Sequence, residues 1–281
     1  MTVIDAHHHF WRHGLRPHQW PPAAGDVLNR DFMPDDLLPE LRRAGIEGTV
    51  LVQSLNDLQE TEEYLDLARE TPWVRGVVGW VPLDNPAETE VALESLVERG
   101  PLIGLRHLMR VEAKPDWIVQ YEVIQSLALI ARAGLVFELV PINPAQFENA
   151  LTIAARLPQL QLVLDHLGRP PVPEQGWEPW ATLIKRTADA PNVAVKLSAG
   201  MDLVLRWRWS TDMLRRYVDH VVQCFGAGRI MAASNWPVVL LAGDYEEVWG
   251  GITALVSELS ERERQEILGD TAMRVYGLAA E

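Results

Sequence analysis

Val3-Ile4-Asp5-Ala6-His7-His8-His9-Phe10-Trp11 is the stretch on which the reading of this chain turns. It begins as a short buried strand and runs straight into three histidines. Side chains alternate between the faces of a strand, so Asp5, His7 and His9 are expected on one face, with Ala6 and His8 on the other. Two imidazoles two residues apart, where a strand gives way to a loop, can reach one metal ion or one substrate oxygen. The bland alternative is a purification remnant. Val-Ile-Asp in strand register before the histidines argues against it.

Working outward, residues 12–34 are rich in Pro, His and Gly and show no apolar period, the profile of a long loop at a strand end. Pro34-Asp35-Asp36 then opens a helix that Gly45 ends. From there one unit repeats. Apolar runs expected to be strands cover residues 48–54, 74–83, 102–109, 135–140, 160–167, 193–198 and 229–235. Segments of helical period cover residues 57–70, 86–99, 118–133, 144–157, 177–190, 210–225 and 244–258, with a last amphipathic helix at 261–275. The strands are continuously apolar, as parallel strands covered on both faces are. Strand and helix alternating eight times predict an α/β fold, a closed (β/α)8 TIM barrel, as one domain over residues 1–281. An open doubly wound sheet is the alternative. No composition shift marks a boundary, and no glycine-rich phosphate loop appears.

The formal net charge of −14 argues against nucleic acid or an anionic membrane as partner, and an anionic ligand would need local basic residues. The single cysteine, Cys224, lies in a helix-like apolar run, so no disulfide forms within the chain and a reducing compartment is expected. The N-terminus lacks a secretory signal pattern and no run has the length of a membrane span, which predicts a cytoplasmic protein. Self-association into a homo-oligomer stays open. Of the eleven tryptophans, Trp11, Trp20, Trp117 and Trp177 fall in expected loops, where an aromatic face could wall a pocket.

In such a barrel the chemistry sits at the C-terminal ends of the strands. Polar groups do collect there. The first strand ends in His7 and His9, the second in Gln53-Ser54, the fourth in Arg106-His107 and the fifth carries Glu138. The sixth ends in Asp165-His166, the seventh carries Lys196 and Ser198, and the eighth ends in Ser234-Asn235-Trp236, while the third offers only Trp80. Alternation sends Arg106 and His107 to opposite sides, with Arg106 expected to face the pocket. His166 is expected inward, and Asp165 to orient a neighbour or a backbone amide. Glu138 divides between a site role and a structural ion pair, and Lys196 between a buried cation paired with a carboxylate and a substrate contact.

These segments resemble the amidohydrolase superfamily, in its amidohydrolase-related group of sugar lactonases. The resemblance runs nearly end to end, through Ile4-Asp5-Ala6-His7-His8-His9-Phe10-Trp11, Val52-Gln53, Val78-Gly79-Trp80-Val81, Gly104-Leu105-Arg106-His107, Asp165-His166-Leu167-Gly168-Arg169-Pro170-Pro171, Val195-Lys196-Leu197-Ser198 and Ala233-Ser234-Asn235-Trp236-Pro237-Val238. It implies that His7 and His9 are the His-x-His pair that binds a divalent metal. It implies that His166 is the strand-six histidine that contacts metal or carbonyl, and that Arg106 holds a substrate carboxylate or hydroxyl. Asn235 stands where the superfamily usually has the aspartate that takes a proton from the attacking water. An amide cannot act as a general base, and it ligates a metal only weakly. The base then falls to His166 or Glu138, or the reaction needs no activated water.

The expected activity is hydrolysis of a sugar-acid lactone, or a similar cyclic ester, to the open hydroxy acid. The partner is thus a small-molecule lactone or sugar acid. A divalent metal such as Zn2+ on His7, His9 and His166, or those histidines without metal, would polarise the carbonyl. Gln53, Arg106, His107 and Lys196 would bind substrate, and Trp11, Trp80 or Trp236 would stack on the sugar ring. The alternatives are a lactone isomerase or non-oxidative decarboxylase of the same superfamily, and a non-catalytic sugar-acid binder.

Overall fold

Each apolar run expected to be a strand forms one. The structure, a computed structural model, describes residues 2–18, 24–112 and 114–279, so Trp20 lies outside the described residues. The strands are β1 (Ile4–His8), β2 (Gly48–Val52), β3 (Val74–Gly79), β4 (Leu102–Arg106), β5 (Val136–Leu139), β6 (Leu162–Leu164), β7 (Val193–Leu197) and β8 (Ile230–Ala232). They pair in parallel, in sequence order, as one 8-stranded sheet. A helix follows each strand, and the ring closes at the mouth. There the backbone N–H of Asn235 donates to the His7 carbonyl (2.8 Å) and that of His9 to the Trp236 carbonyl (2.8 Å). The fold is a (β/α)8 TIM barrel.

Alternation along each strand separates two apolar layers. Val52, Val78, Val163, Ala194 and Met231 fill the lumen, whereas Leu51, Val77, Phe137, Leu164 and Val195 face the helices. The helices that cover the sheet start on side-chain caps. Asp57 accepts from the Glu60 N–H, Asn143 from Gln146, Ser210 from Met213 and Asp244 from Glu247. Each such cap contributes about 1 kcal/mol and fixes where a mouth loop ends.

β1 departs from the expected phase. Its register runs Ile4↔Gly48, Asp5↔Thr49, then His8↔Leu51, so it carries one residue more than β2. A bulge of this kind re-aims the side chains beyond it. Ile4 and Ala6 therefore lie in the lumen, and Asp5 faces away from it, accepting from Ser234 Oγ (2.6 Å) and Tyr245 Oη (2.9 Å). After the bulge, His7 and His9 turn in. The expected common face of Asp5, His7 and His9 is thus broken by the extra residue.

The loop at residues 12–34 holds a short helix, Gly25–Leu28. Trp11 pins that loop: its indole N–H donates to the carbonyls of Leu28 (3.2 Å) and Arg30 (3.0 Å). At the other end of the barrel, the last helical segment is interrupted by a π turn at Glu266–Asp270 before the helix Thr271–Tyr276. Ala272, Tyr276 and Leu278 from this segment join the lumen layer and plug the barrel below the strands. Among the described residues, no helix is long and apolar enough to cross a membrane.

Candidate active site

A cavity of about 480 Å³ opens at the C-terminal ends of the strands. His9, Ser54, Arg106, His166 and Asn235 line it, as do loop residues that include Arg110, Arg169 and Met201. Beneath it lies a dense cluster of buried polar side chains.

His7 is its centre. Its Nε2 is 3.2 Å from His9 Nε2 and 3.2 Å from Arg106 Nη1, and its Nδ1 is 3.1 Å from Lys196 Nζ and 3.5 Å from Asp165 Oδ1. His9 donates its Nδ1–H to the Val52 carbonyl (2.7 Å), which leaves its Nε2 bare and aimed at His7. His166 is held at Nδ1 by Ser198 Oγ (2.8 Å), and its ring centroid is 4.8 Å from that of His7. Burial, followed by the cations Lys196 and Arg106, holds His7 well below the usual imidazole range. Burial and then Arg106 do the same to His9, and burial brings His166 down to about 4. All three are neutral near pH 7, the form that ligates a metal or accepts a proton.

Asp165 orients a neighbour as expected, holding Arg106, but it also faces this cluster, where His166 alone was expected to point inward. Val163 is a lumen residue, and two residues on Asp165 keeps the same face. The left-handed backbone of His166 (φ 55) then breaks alternation and turns its ring in as well. Asp165 receives Arg106 Nη1 (2.9 Å) and stands 3.4 Å from Lys196 Nζ. Burial resists its ionisation, but Lys196, His7 and Arg106 prevail and hold it well below the usual carboxylate range.

Lys196 and Glu138 form the floor. Lys196 Nζ donates to Glu138 Oε1 (2.6 Å), both side chains are fully buried, and Tyr276 Oη donates to the same oxygen. Burial and then the nearby Asp165 raise the Glu138 carboxyl to about 7. Glu138 is absent from the cavity wall, so the geometry makes it a partner of Lys196 and not the base that meets a water in the cavity.

The remaining expected residues divide. Gln53 is buried, accepts from Arg106 Nη2 (3.3 Å) and donates to the Arg106 carbonyl (3.2 Å), so it aims the arginine. Asn235 lines the cavity with a left-handed backbone (φ 60), a conformation that asparagine and aspartate adopt more readily than most residues. Its amide N–H donates to the Ala199 carbonyl (2.7 Å), which leaves the carbonyl oxygen as its free end. His107 turns away from the cavity. It accepts from Trp80 Nε1 (3.0 Å), pairs with Glu112 (2.7 Å) and stacks on Trp117. Trp236 packs edge-on against Phe10 and Phe32. Trp11 and Trp236 are 5% and 2% exposed, too enclosed to stack on a sugar ring, and Trp80 is committed to His107. These aromatics were expected at the site because they follow strand ends; packing took them instead. Arg110 and Arg169, which do line the cavity, lie on loops where periodicity carries no signal.

The donors suit a divalent cation. Among the described residues, the group whose ligand atoms all lie within 4.8 Å of one another is His7, Asp165 and His166. Asp165 Oδ1 is buried without a hydrogen-bond partner, and two neutral imidazoles with one carboxylate is a donor set that such an ion takes. Asp165 offers the anionic donor that Asn235 does not. His9 stands at the edge of this set, against His7.

A family model described as amidohydrolase matches residues 4–278. The chain is 36% identical over 280 residues to an L-fucono-1,5-lactonase of Burkholderia ambifaria, covering 98% of this chain and 92% of that one. It is 32% identical over 290 residues to an L-fucono-1,5-lactonase of Burkholderia multivorans, covering 98% and 96%. Among solved structures it resembles an amidohydrolase from Burkholderia multivorans with bound zinc, at a TM-score of 0.91 and 30% identity, covering 99% of this chain and 100% of that one.

Proposed function

The chain belongs to the amidohydrolase family, and from that premise we propose that it is a hydrolase opening the ring of a sugar-acid lactone to the free hydroxy acid. The observation that carries this reading is the convergence of His7, His9, Arg106, Asp165 and His166, from the ends of three strands, on the floor of one mouth cavity. The two lactonase relatives support the substrate class.

A lactone carbonyl seated over this cluster meets the guanidinium of Arg106, which is held by Asp165 and Gln53 and needs no reorientation as negative charge develops on oxygen. Preorganised donors of this kind are usually the largest catalytic contribution. Water adds to the carbonyl carbon, and its proton passes to His166, whose neutral ring lines the cavity and is steadied by Ser198. The tetrahedral intermediate collapses by breaking the bond to the ring oxygen, which takes the proton back from His166 as it leaves as a hydroxyl. Asn235 contributes a carbonyl oxygen that can accept a hydrogen bond from the attacking water and takes no proton. A divalent ion, with Zn2+ the best match to two nitrogens and a carboxylate, would be held by His7, His166 and Asp165 and supply electrophilic activation when bound. His166 Nδ1 is committed to Ser198, so its Nε2 would then be a ligand. The bare Nε2 of His9 would in that case take the proton of the water and return it to the ring oxygen in place of His166.

The test is turnover. His7→Ala combined with His9→Ala is expected to lower kcat on sugar lactones by about 1,000-fold, comparable with the loss of an oxyanion-stabilising donor. The circular dichroism spectrum should remain that of a folded barrel. Product NMR separates hydrolysis, which releases the acid, from isomerisation, which does not. Full activity in the folded double variant would reject the assignment.

A further inference from the structure

The cavity wall has a charge pattern that the ring-opening chemistry does not use. Besides Arg106 on the floor, Arg110 and Arg169 line it, while Leu108, Met109, Val140, Ile142, Met201, Leu205 and Val238 make most of the rest apolar. Arg106 is matched by Asp165, and Arg169 by Asp202 (2.7 Å). Among the described residues Arg110 has neither a hydrogen bond nor an ion pair, and desolvation, followed by the charges of Arg106 and Arg169, lowers its pKa. Guanidinium groups gathered in one cavity repel each other until an anion joins them. They are also out of keeping with a chain of net charge −14, whose general field keeps anions away.

The backbone segments that carry both arginines are held in place, Arg169 by its pair with Asp202 as well, while the Arg110 side chain is exposed at the cavity rim. The loop carrying Arg110 is tied at each side, by the His107–Glu112 contact (2.7 Å) and by the Leu108 N–H donating to Asn56 Oδ1 (2.9 Å). Arg169 ends a run of consecutive left-handed residues, His166 (φ 55), Leu167 (φ 53), Gly168 (φ 63) and Arg169 (φ 60). Strained backbone of this kind gathers at functional sites, and here it turns His166 and Arg169 toward one cavity.

We propose that Arg110 and Arg169 form an anion subsite on the cavity wall, and that the preferred substrate is a lactone carrying a second acidic group, a carboxylate, in place of a neutral sugar lactone. This rests on the lactonase reading above. The planar, permanently charged guanidinium binds a carboxylate in bidentate fashion, which suits a fixed substituent remote from the reacting carbonyl.

The experiment compares an aldonolactone with the aldarolactone that differs only by a carboxylate in place of the terminal CH2OH, in the full chain and in Arg110→Gln and Arg110→Lys. The wild type should favour the aldarolactone in kcat/KM by at least tenfold. In Arg110→Gln the ratio of the two specificity constants should fall by about 10- to 100-fold, as expected for losing a charge-assisted pair. Arg110→Lys should restore part of it. Calorimetry with the open-chain aldarate and aldonate, which need no turnover, provides the second arm: aldarate should bind more tightly, and Arg110→Gln should remove that advantage. Failure of the wild type to open any lactone would sink the lactonase reading while calorimetry still decides the subsite. A wild-type preference for the neutral lactone, or a ratio unmoved by Arg110→Gln, would overturn the proposal. So would equal loss of aldonate and aldarate binding, which would assign Arg110 to the carboxylate that ring opening itself creates.

Discussion

His7, His8, His9 and His166 are buried imidazoles held neutral, and this couples the stability of the fold to pH. Burial lowers His8 to about 3 and His166 to about 4, whereas an unfolded imidazole titrates near its ordinary value of 6.5. Between those limits the unfolded chain binds more protons than the folded one, so stability rises with pH across this window and is lost as pH falls through it. His8 and His166 are each expected to cost about 2 kcal/mol between pH 6.5 and pH 5. Urea unfolding at a series of pH values checks this; a midpoint that stays flat until the carboxylates titrate would contradict it. Asp165 acts at lower pH, since its depressed carboxyl contributes stability that is lost only as pH falls through its folded value. Single residues were the most legible part of the site. His7, His9, Arg106 and His166 follow strand ends, and in a parallel barrel those ends share one rim.

At the scale of elements, the turn from His166 to Arg169 sets the outline of the mouth. A left-handed non-glycine residue costs of order 1–3 kcal/mol, and His166, Leu167 and Arg169 all adopt that conformation. Gly168 relieves the strain at one position, at φ 63, and a Cβ there would meet Phe147 Cζ at 2.5 Å and Leu164 Cδ2 at 3.0 Å. Gly168→Ala is therefore expected to destabilise by about 2–3 kcal/mol, from overpacking added to backbone strain. It should also lower kcat/KM on lactones, because His166 and Arg169 move with the turn. Gly45→Ala provides the contrast. Its φ is 68, but no atom lies within 4 Å of the added Cβ, so the cost should be about 1 kcal/mol with activity kept. Chemical unfolding of the two variants separates strain from collision. This turn and the β1 bulge were not legible in advance, because both break the alternation that makes strands readable.

At the scale of the whole molecule, the C-terminal helix closes the barrel floor and reaches toward the site from below. Tyr276 donates to Glu138, Glu138 holds Lys196, and Lys196 touches His7. Tyr276→Phe keeps the ring in the lumen and removes one donor from a buried carboxylate. It is expected to destabilise by about 1–3 kcal/mol, the cost of a buried polar group left short of a partner. A urea midpoint indistinguishable from wild type would show that the hydroxyl is dispensable. The sequence by itself determined the eight-fold alternation of strand and helix, and with it a barrel with a single reactive rim. Apolar period and cap residues are local signals, and parallel strands leave few other ways to bury both faces. Only the tertiary structure decided that Asp165 joins His7, that Glu138 sinks to the floor, that the tryptophans pack away from the cavity, and that Arg110 meets Arg169. Those outcomes depend on a bulge, on a left-handed turn and on distances between segments far apart in the chain, none of which leaves a periodic trace in the order of residues.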